Sequence, residues 1–344
     1  MLLNCNIFAI FTLLLFLNMK TLVEGFTKQL QEALEIANAA VLTKKNNIQN
    51  IVITGLGGSG IGGTLLSELV QGECPVPIIV NKDYFLPEFV NSNSLVVISS
   101  YSGNTEETLS AMHQAIGKKA QIVCVTSGGK VLELAKQHQF DVIVIPGGHP
   151  PRSCIGYSLI QLFKIVQFNE FVKTDLLKQV QDSITLLDTE KEAIKSEATS
   201  IAETLFHKIT VIYSLGSCEG AAVRFRQQIN ENSKMLCWHH TFPEMNHNEL
   251  VGWTEKNENL SVVTFRTSYD YERTIKRYDI CKPLFTKYSH SVTDIFAKGN
   301  SKVEQFFYLI NIGDWISCFI ADLKNIDAVE VDVITNLKNE LAKS

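Results

Sequence analysis

The chain has 344 residues, of which 45% are hydrophobic and 19% charged, and a formal net charge of −5. Single cores stop growing near ~250–300 residues, so this length gives room for two ordinary domains. The composition excludes disorder, collagen and a many-span membrane protein, and an acidic chain without a long Lys/Arg block has no electrostatic footprint for nucleic acid.

The first segment, Ile7–Leu17 (IFAIFTLLLFL), is apolar but only eleven residues long, against the ~20 needed to cross a bilayer. Residues 1–6 carry no Lys or Arg and no small-x-small cleavage site follows, as a secretory signal would require. The expectation is that translation starts at Met19 and that residues 1–18 are an upstream extension. An export signal is the alternative, and it would leave a mature chain beginning within residues 20–30. An amphipathic helix (TLVEGFTKQLQEALEIANAA) starts after Met19-Lys20.

From residue 50, short β-branched runs alternate with helical stretches. The predicted strands are Asn50–Thr54, Val76–Val80, Ser94–Ser99, Ala120–Thr126 and Phe140–Ile145. Each is a continuous apolar run, as expected of parallel strands covered on both faces. Helices at 61–71, 104–117, 130–138 and 156–168 fill the gaps, which is βαβ grammar.

Between the first strand and its helix lies Gly55-Leu56-Gly57-Gly58-Ser59-Gly60, a G-x-G-x-x-G loop that brings backbone N–H groups to an anion at a helix N-terminus. No Gly-Lys-Ser/Thr follows, which excludes a Walker loop. Asp83 keeps a dinucleotide reading open. After the Leu95–Ile98 strand comes Ser99-Ser100-Tyr101-Ser102-Gly103-Asn104-Thr105-Glu106-Glu107. Asn104 and Glu107 have capping-box spacing. Ser100, Ser102 and Thr105 offer three short hydroxyl donors at one strand end, which suits the three terminal oxygens of a phosphate monoester; an ordinary Ser/Thr-rich turn is the plainer reading. In Gly148-His149-Pro150-Pro151-Arg152, prolines stiffen the loop after the last strand of this half and would help aim the guanidinium.

A charge-rich helical region, Val172–His207, precedes strands at Ile209–Ser214, Ser261–Phe265 and Ser291–Phe296 and helices at 219–230, 271–279, 301–323 and 330–341. The run Val52-Ile53-Thr54-Gly55-Leu56-Gly57-Gly58-Ser59 resembles Val211-Ile212-Tyr213-Ser214-Leu215-Gly216-Ser217-Cys218 at a constant offset of 159 residues. The expected fold class is therefore α/β, with two similar αβα domains, each a parallel sheet flanked by helices. The first spans residues 19–170 and the second, with its linking helix, residues 171–344.

The eight cysteines form no C-x-x-C pair, so the plain reading is reduced thiols in a cytoplasmic enzyme. His239, His240 and His247 with Glu244 and Glu249 lack the H-E-x-x-H spacing of a zinc site. No metal and no cofactor is expected.

GLGGSGIGG (55–63) together with SSYSGNTEETL (99–109) resembles the sugar isomerase (SIS) domain. Pro151-Arg152, FRQQINENSK (225–234), FPEMNHNELVGW (242–253), LINIGDWISCFIADL (309–323) and Ile334-Thr335-Asn336-Leu337-Lys338 are similar to the bifunctional phosphoglucose/phosphomannose isomerase family, a likeness running from Leu22 to Lys338. The resemblance implies an aldose–ketose isomerase of central carbohydrate metabolism. It would interconvert glucose 6-phosphate and mannose 6-phosphate with fructose 6-phosphate through a cis-enediol. By that resemblance Glu231 is the general base, while His247 and Lys338 open the sugar ring. Arg152 contacts substrate and stabilises the enediolate, and Gly58, Ser59, Ser100, Ser102 and Thr105 bind the sugar phosphate. In the family the histidine reaches the partner's active site, which implies a homodimer with shared sites, with neither nucleic acid nor a membrane as partner.

Read without the family, Glu231 is a helix-end acid, Lys338 a solvated lysine and Arg152 a surface arginine. One departure stands out: the family has a threonine several residues before the lysine, where this chain has Val329-Glu330-Val331. Thr335 lies too close to Lys338 to replace it, which leaves the balance between glucose and mannose substrates open. Two other readings are a non-catalytic sugar-phosphate sensor and a nicotinamide-dependent dehydrogenase. The first usually carries a DNA-binding module, for which the region before Gly55 is too short. The second leaves the hydroxyl-rich loop and the NEN…NHNE segment without a purpose.

Overall fold

The computed structural model describes residues 18–216, 218–341 and 343; the apolar run Ile7–Leu17 lies outside them. Asn18 caps the first helix by accepting from the Lys20 N–H at 2.9 Å. Helices α1 (Met19–Glu24) and α2 (Phe26–Ala39) break at Gly25.

The first half then runs β1 (Asn50–Thr54), α3 (Gly57–Val70), β2 (Ile78–Asn81), β3 (Ser94–Ser100), α4 (Glu106–Gly117), β4 (Gln121–Thr126), α5 (Gly129–Gln137), β5 (Asp141–Val144) and α6 (Ile155–Phe168). Its five strands are parallel, in the order β2-β1-β3-β4-β5. β1 and β3 are buried along their whole length, which is why they read as unbroken apolar runs. β2 starts two residues later than the sequence suggests, just past Pro77, whose ring removes a ladder donor.

The second half runs α7 (Leu176–Leu205), β6 (Ile209–Ser214), α8 (Glu219–Ser233), β7 (Cys237–Thr241), β8 (Asn257–Arg266), α9 (Glu272–Tyr288), β9 (Ser289–Phe296), α10 (Lys302–Lys324) and α11 (Asp332–Leu341). Its sheet is also parallel, ordered β7-β6-β8-β9. β1 and β6 begin 159 residues apart and hold the same place in their sheets, so the internal echo is a structural repeat. That equivalence also supplies the strand the sequence reading lacks. β7 is the counterpart of β2, an edge strand with one neighbour. Its Cys-Trp-His-His-Thr is only half-buried and carries no apolar run.

One apolar cluster joins the halves: Ile53 and Leu95 of the first sheet share it with Ile212, Val263 and Phe265 of the second, through α2, α6, α7 and α10. By length and composition α10 could cross a bilayer, but it lies mostly buried within the protein. Its start is a capping box of Ser301 with Glu304, and its end is Asn325 in the left-handed region. Seven of the eight cysteines lie among the described residues, all with free thiols.

A carboxylate also ties the halves together. Glu68 of α3 accepts from the Gly220 N–H at the start of α8 through both oxygens, at 2.8 and 2.9 Å, where the helix dipole favours negative charge. Burial pushes its carboxyl from 4.5 up to about 7, and the Gly220 bond pulls it back down. Between those two values the folded chain binds more proton than the unfolded chain, so this term costs stability as pH rises through that window. Glu68→Gln keeps an acceptor for Gly220 and removes the titration. Its stability relative to wild type is expected to improve by about 2–3 kcal/mol between pH 4.5 and pH 8. Denaturation curves of the two proteins that stay parallel across that range would contradict this.

Candidate active site

The glycine and hydroxyl loops leave the carboxyl ends of first-sheet strands, where open parallel sheets place ligands. After β1, the glycine loop presses against the Pro151 segment: a Cβ on Gly58 would fall 2.9 Å from the Pro151 carbonyl oxygen. Ser59 is buried, and its hydroxyl oxygen accepts from the Tyr101 N–H at 3.1 Å, tying this loop to the next. That bond leaves the hydroxyl proton of Ser59 for another acceptor. Asp83, exposed beyond β2, accepts from the Tyr84 N–H at 2.6 Å.

In the hydroxyl loop, Ser100 Oγ donates to Thr105 Oγ1 at 3.2 Å and Ser102 Oγ accepts from the Asn104 N–H at 3.3 Å. The capping box expected of Asn104 and Glu107 does not form. Thr105 is the residue before α4 and makes no side-chain cap, while Asn104 Oδ1 accepts from the Lys130 N–H at 3.1 Å. The cause is the approach of the β4–α5 loop. Gly103 has φ +68°, and a Cβ there would lie 1.8 Å from the Gly128 carbonyl oxygen, so only glycine lets the loops meet and puts Asn104 within reach of α5. As a result α4 presents its first N–H groups without a side-chain cap beside three hydroxyls, a ready anion site.

Arg152 sits in the 3₁₀ turn Pro151–Ser153 and is 5% exposed. Its Nε donates to Asn232 Oδ1 at 2.8 Å, Nη1 to Glu231 Oε2 at 3.4 Å, and Nη2 to the carbonyls of Ala328 and Val329 at 2.6 and 3.0 Å. Four of its five N–H donors are thus engaged within the chain. Burial pulls the guanidinium below its ordinary value, and the Glu231 carboxylate opposes that. Glu231 lies in the last turn of α8, which is held from behind. Arg224 Nη2 donates to Asp314 Oδ2 of α10 at 2.6 Å and to the Arg152 carbonyl at 3.0 Å, and Gln228 donates to Asp314 Oδ1 at 2.9 Å. Burial pushes the Asp314 carboxyl up, and Arg224 opposes it.

Glu231 opens on a cavity of about 330 Å³ that Lys234, Glu330, Val331 and Ile334 also line. Lys234 ends α8 with φ +51°, and its Nζ donates to the carbonyls of Glu231 and Glu330 at 2.6 and 2.7 Å. Val331, in the region where the sequence departs from the family pattern, therefore borders the same cavity as Glu231.

The structure joins Gly58, Arg152 and Glu231 directly, and Ser59 to the hydroxyl loop. The other two predicted residues make no hydrogen bond to this group among the described residues, although Val333 and Ile334 of α11, the helix that carries Lys338, line the Glu231 cavity. Lys338 is exposed on α11, and His247 is exposed in the 3₁₀ turn Glu244–His247. Among the described residues, neither side chain makes a hydrogen bond or ion pair. The segment carrying His247 is fixed by Glu249, which accepts from Tyr213 Oη and from Trp238 Nε1 at 3.3 Å and faces His240 Nδ1 at 3.2 Å. His239 faces Glu219 at 3.7 Å and holds that carboxyl below its usual range. The sequence reading overlooked Asn232, Lys234 and Asp314. For Asp314 a signal existed, since an acid inside an apolar helical run must find a buried partner.

Residues 194–341 match the model of the bacterial phospho-glucose isomerase C-terminal SIS domain. The bifunctional phosphoglucose/phosphomannose isomerase of Caldicellulosiruptor bescii is 41% identical over 338 residues, covering 93% of this chain and 98% of its own length. The chain belongs to the bifunctional phosphoglucose/phosphomannose isomerase family. The member from Aquifex aeolicus is 34% identical, over 93% of this chain and 97% of its own length. The matched C-terminal region holds Glu231, His247 and Lys338, while the hydroxyl loop and Arg152 lie before it. The family's two-sheet fold is also seen in a hypothetical protein from Thermus thermophilus, with a TM-score of 0.76 at 15% identity over 94% of this chain and 90% of that one.

Proposed function

We propose that the chain is an aldose–ketose isomerase that interconverts glucose 6-phosphate, and mannose 6-phosphate, with fructose 6-phosphate. The observation that carries this reading is the Arg152–Glu231 pair at 3.4 Å, with Glu231 on the cavity and the glycine loop packed against Pro151. Gly58 and Ser59, with Ser100, Ser102, Thr105 and the uncapped start of α4, hold the phosphate. Glu231 takes the C2 proton of the aldose and returns it to C1 of the enediolate. Arg152 has one N–H left, on Nη1, beside that carboxylate and stabilises the charge that develops on the enediolate oxygen. Lys338 opens the ring together with His247 of the partner subunit, so the working unit is a homodimer with shared sites. The family relationship and the hydroxyl loop support the substrate class.

Purified protein treated with EDTA is expected to convert fructose 6-phosphate into both glucose 6-phosphate and mannose 6-phosphate, each followed by its own coupled assay. Glucose 6-phosphate alone would make Val331 the residue that restricts epimer choice. Neither product, with fructose 6-phosphate still binding, would overturn the reading in favour of a sensor.

A further inference from the structure

Asn232 is fully buried in the last turn of α8, next to Glu231. Its Oδ1 accepts from Arg152 Nε at 2.8 Å, and its Nδ2 donates to Ser317 Oγ of α10 at 2.9 Å. The Ser317 hydroxyl proton is already committed to the Asp314 carbonyl at 2.7 Å. Ser317 can therefore only accept from Asn232, which fixes the amide with its oxygen toward the guanidinium. A planar guanidinium pinned at Nε by Asn232 and at Nη2 by two carbonyls has no rotational freedom left, so Nη1 must point at Glu231.

We propose that Asn232 is a positioning residue for the isomerisation: held by Ser317, it sets the plane of the Arg152 guanidinium and so the positive charge that faces Glu231. This rests on the reading of Glu231 as the base. Asn232 touches no part of the phosphate loop among the described residues, so its effect should fall on proton transfer and spare substrate anchoring.

The test uses the full-length protein and three variants assayed with fructose 6-phosphate across pH. Asn232→Leu removes both bonds, and misaligning the charge is expected to lower kcat by about ten- to a hundredfold with KM within about threefold. Asn232→Asp keeps the acceptor for Arg152 but sets a second negative charge beside Glu231. It is expected to move the acid limb of the kcat/KM profile up by roughly one pH unit, because a like charge favours the protonated base. Ser317→Ala frees the amide to turn over and is expected to shift the profile in the same direction by less. A merely structural Asn232 would lower the melting temperature and leave the pH profile of Ser317→Ala, which adds no charge, unmoved.

If Asn232→Leu does not fold, the profile of Ser317→Ala decides the question: a shift supports the positioning role and an unmoved profile with wild-type kcat overturns it. Folded Asn232→Asp with the wild-type kcat and acid limb would overturn the proposal. Glu231→Gln run in parallel separates the two failures: an inactive Glu231→Gln beside unshifted Asn232 and Ser317 variants sinks only the role of Asn232. An active Glu231→Gln sinks the reading of the base itself.

Discussion

Glu231→Gln is expected to reduce kcat by about a hundred- to ten-thousandfold, the range over which a positioned base contributes, while fructose 6-phosphate binds within about threefold of wild type. The amide has nearly the shape of the carboxylate, and its oxygen can still accept from Arg152 Nη1, so the α8–Pro151 contact survives. The groups proposed to hold the phosphate, Ser100, Ser102, Thr105 and the start of α4, belong to a different loop and are untouched. What the variant loses is the ability to take a proton. Exchange of the C2 hydrogen of glucose 6-phosphate with deuterated solvent should disappear with turnover. Calorimetric titration with fructose 6-phosphate should remain close to that of the wild type. Exchange at the wild-type rate would remove Glu231 from the reaction, and loss of binding would mean that it anchors substrate.

Asp314→Ala should be among the most destabilising single changes in the chain, by about 3–5 kcal/mol, because it strands a buried charge. Asp314 and Arg224 are both nearly inaccessible to solvent, with side-chain exposures of 7% and 3%. Removing the carboxylate leaves the Arg224 guanidinium without its counter-charge and Gln228 without its acceptor. Asp314→Asn retains an acceptor and should cost less. Replacing both partners by apolar residues, as in Arg224→Met with Asp314→Leu, should recover much of the loss, since an apolar pair carries no desolvation penalty. Denaturant midpoints of the single and double variants decide this. A double variant as unstable as Asp314→Ala would show that the ion pair supplies more than the mutual compensation of two buried charges.

The fold was legible where burial acts on a whole stretch of chain. Strands buried on both faces must be apolar throughout, so β1, β3, β4, β6 and the buried half of β8 from Ser261 on were readable, and the echo between β1 and β6 announced two similar sheets. β7 escaped because an edge strand has one neighbour and needs no apolar run. The hydroxyl loop was legible as a cluster of short hydroxyls at a strand end, but its capping was not. Whether Asn104 caps α4 or crosses to Lys130 depends on how closely Gly103 can approach Gly128, a contact between residues far apart in the chain.

By itself, then, the sequence determined the parallel α/β architecture, its repeat, the glycine and hydroxyl loops and the family motifs, because each of these is written in neighbouring residues as a periodicity, a glycine spacing or a run of hydroxyls. Only the tertiary structure decided that Arg152 is buried, that four of its N–H donors are spent on Glu231, Asn232, Ala328 and Val329, and that Asn232 is locked by Ser317. Those partners stand 79 to 177 residues away from Arg152, and 85 residues separate Asn232 from Ser317. A side chain's hydrogen-bond partner is chosen by packing, and packing is fixed only when both sheets have closed on their shared core.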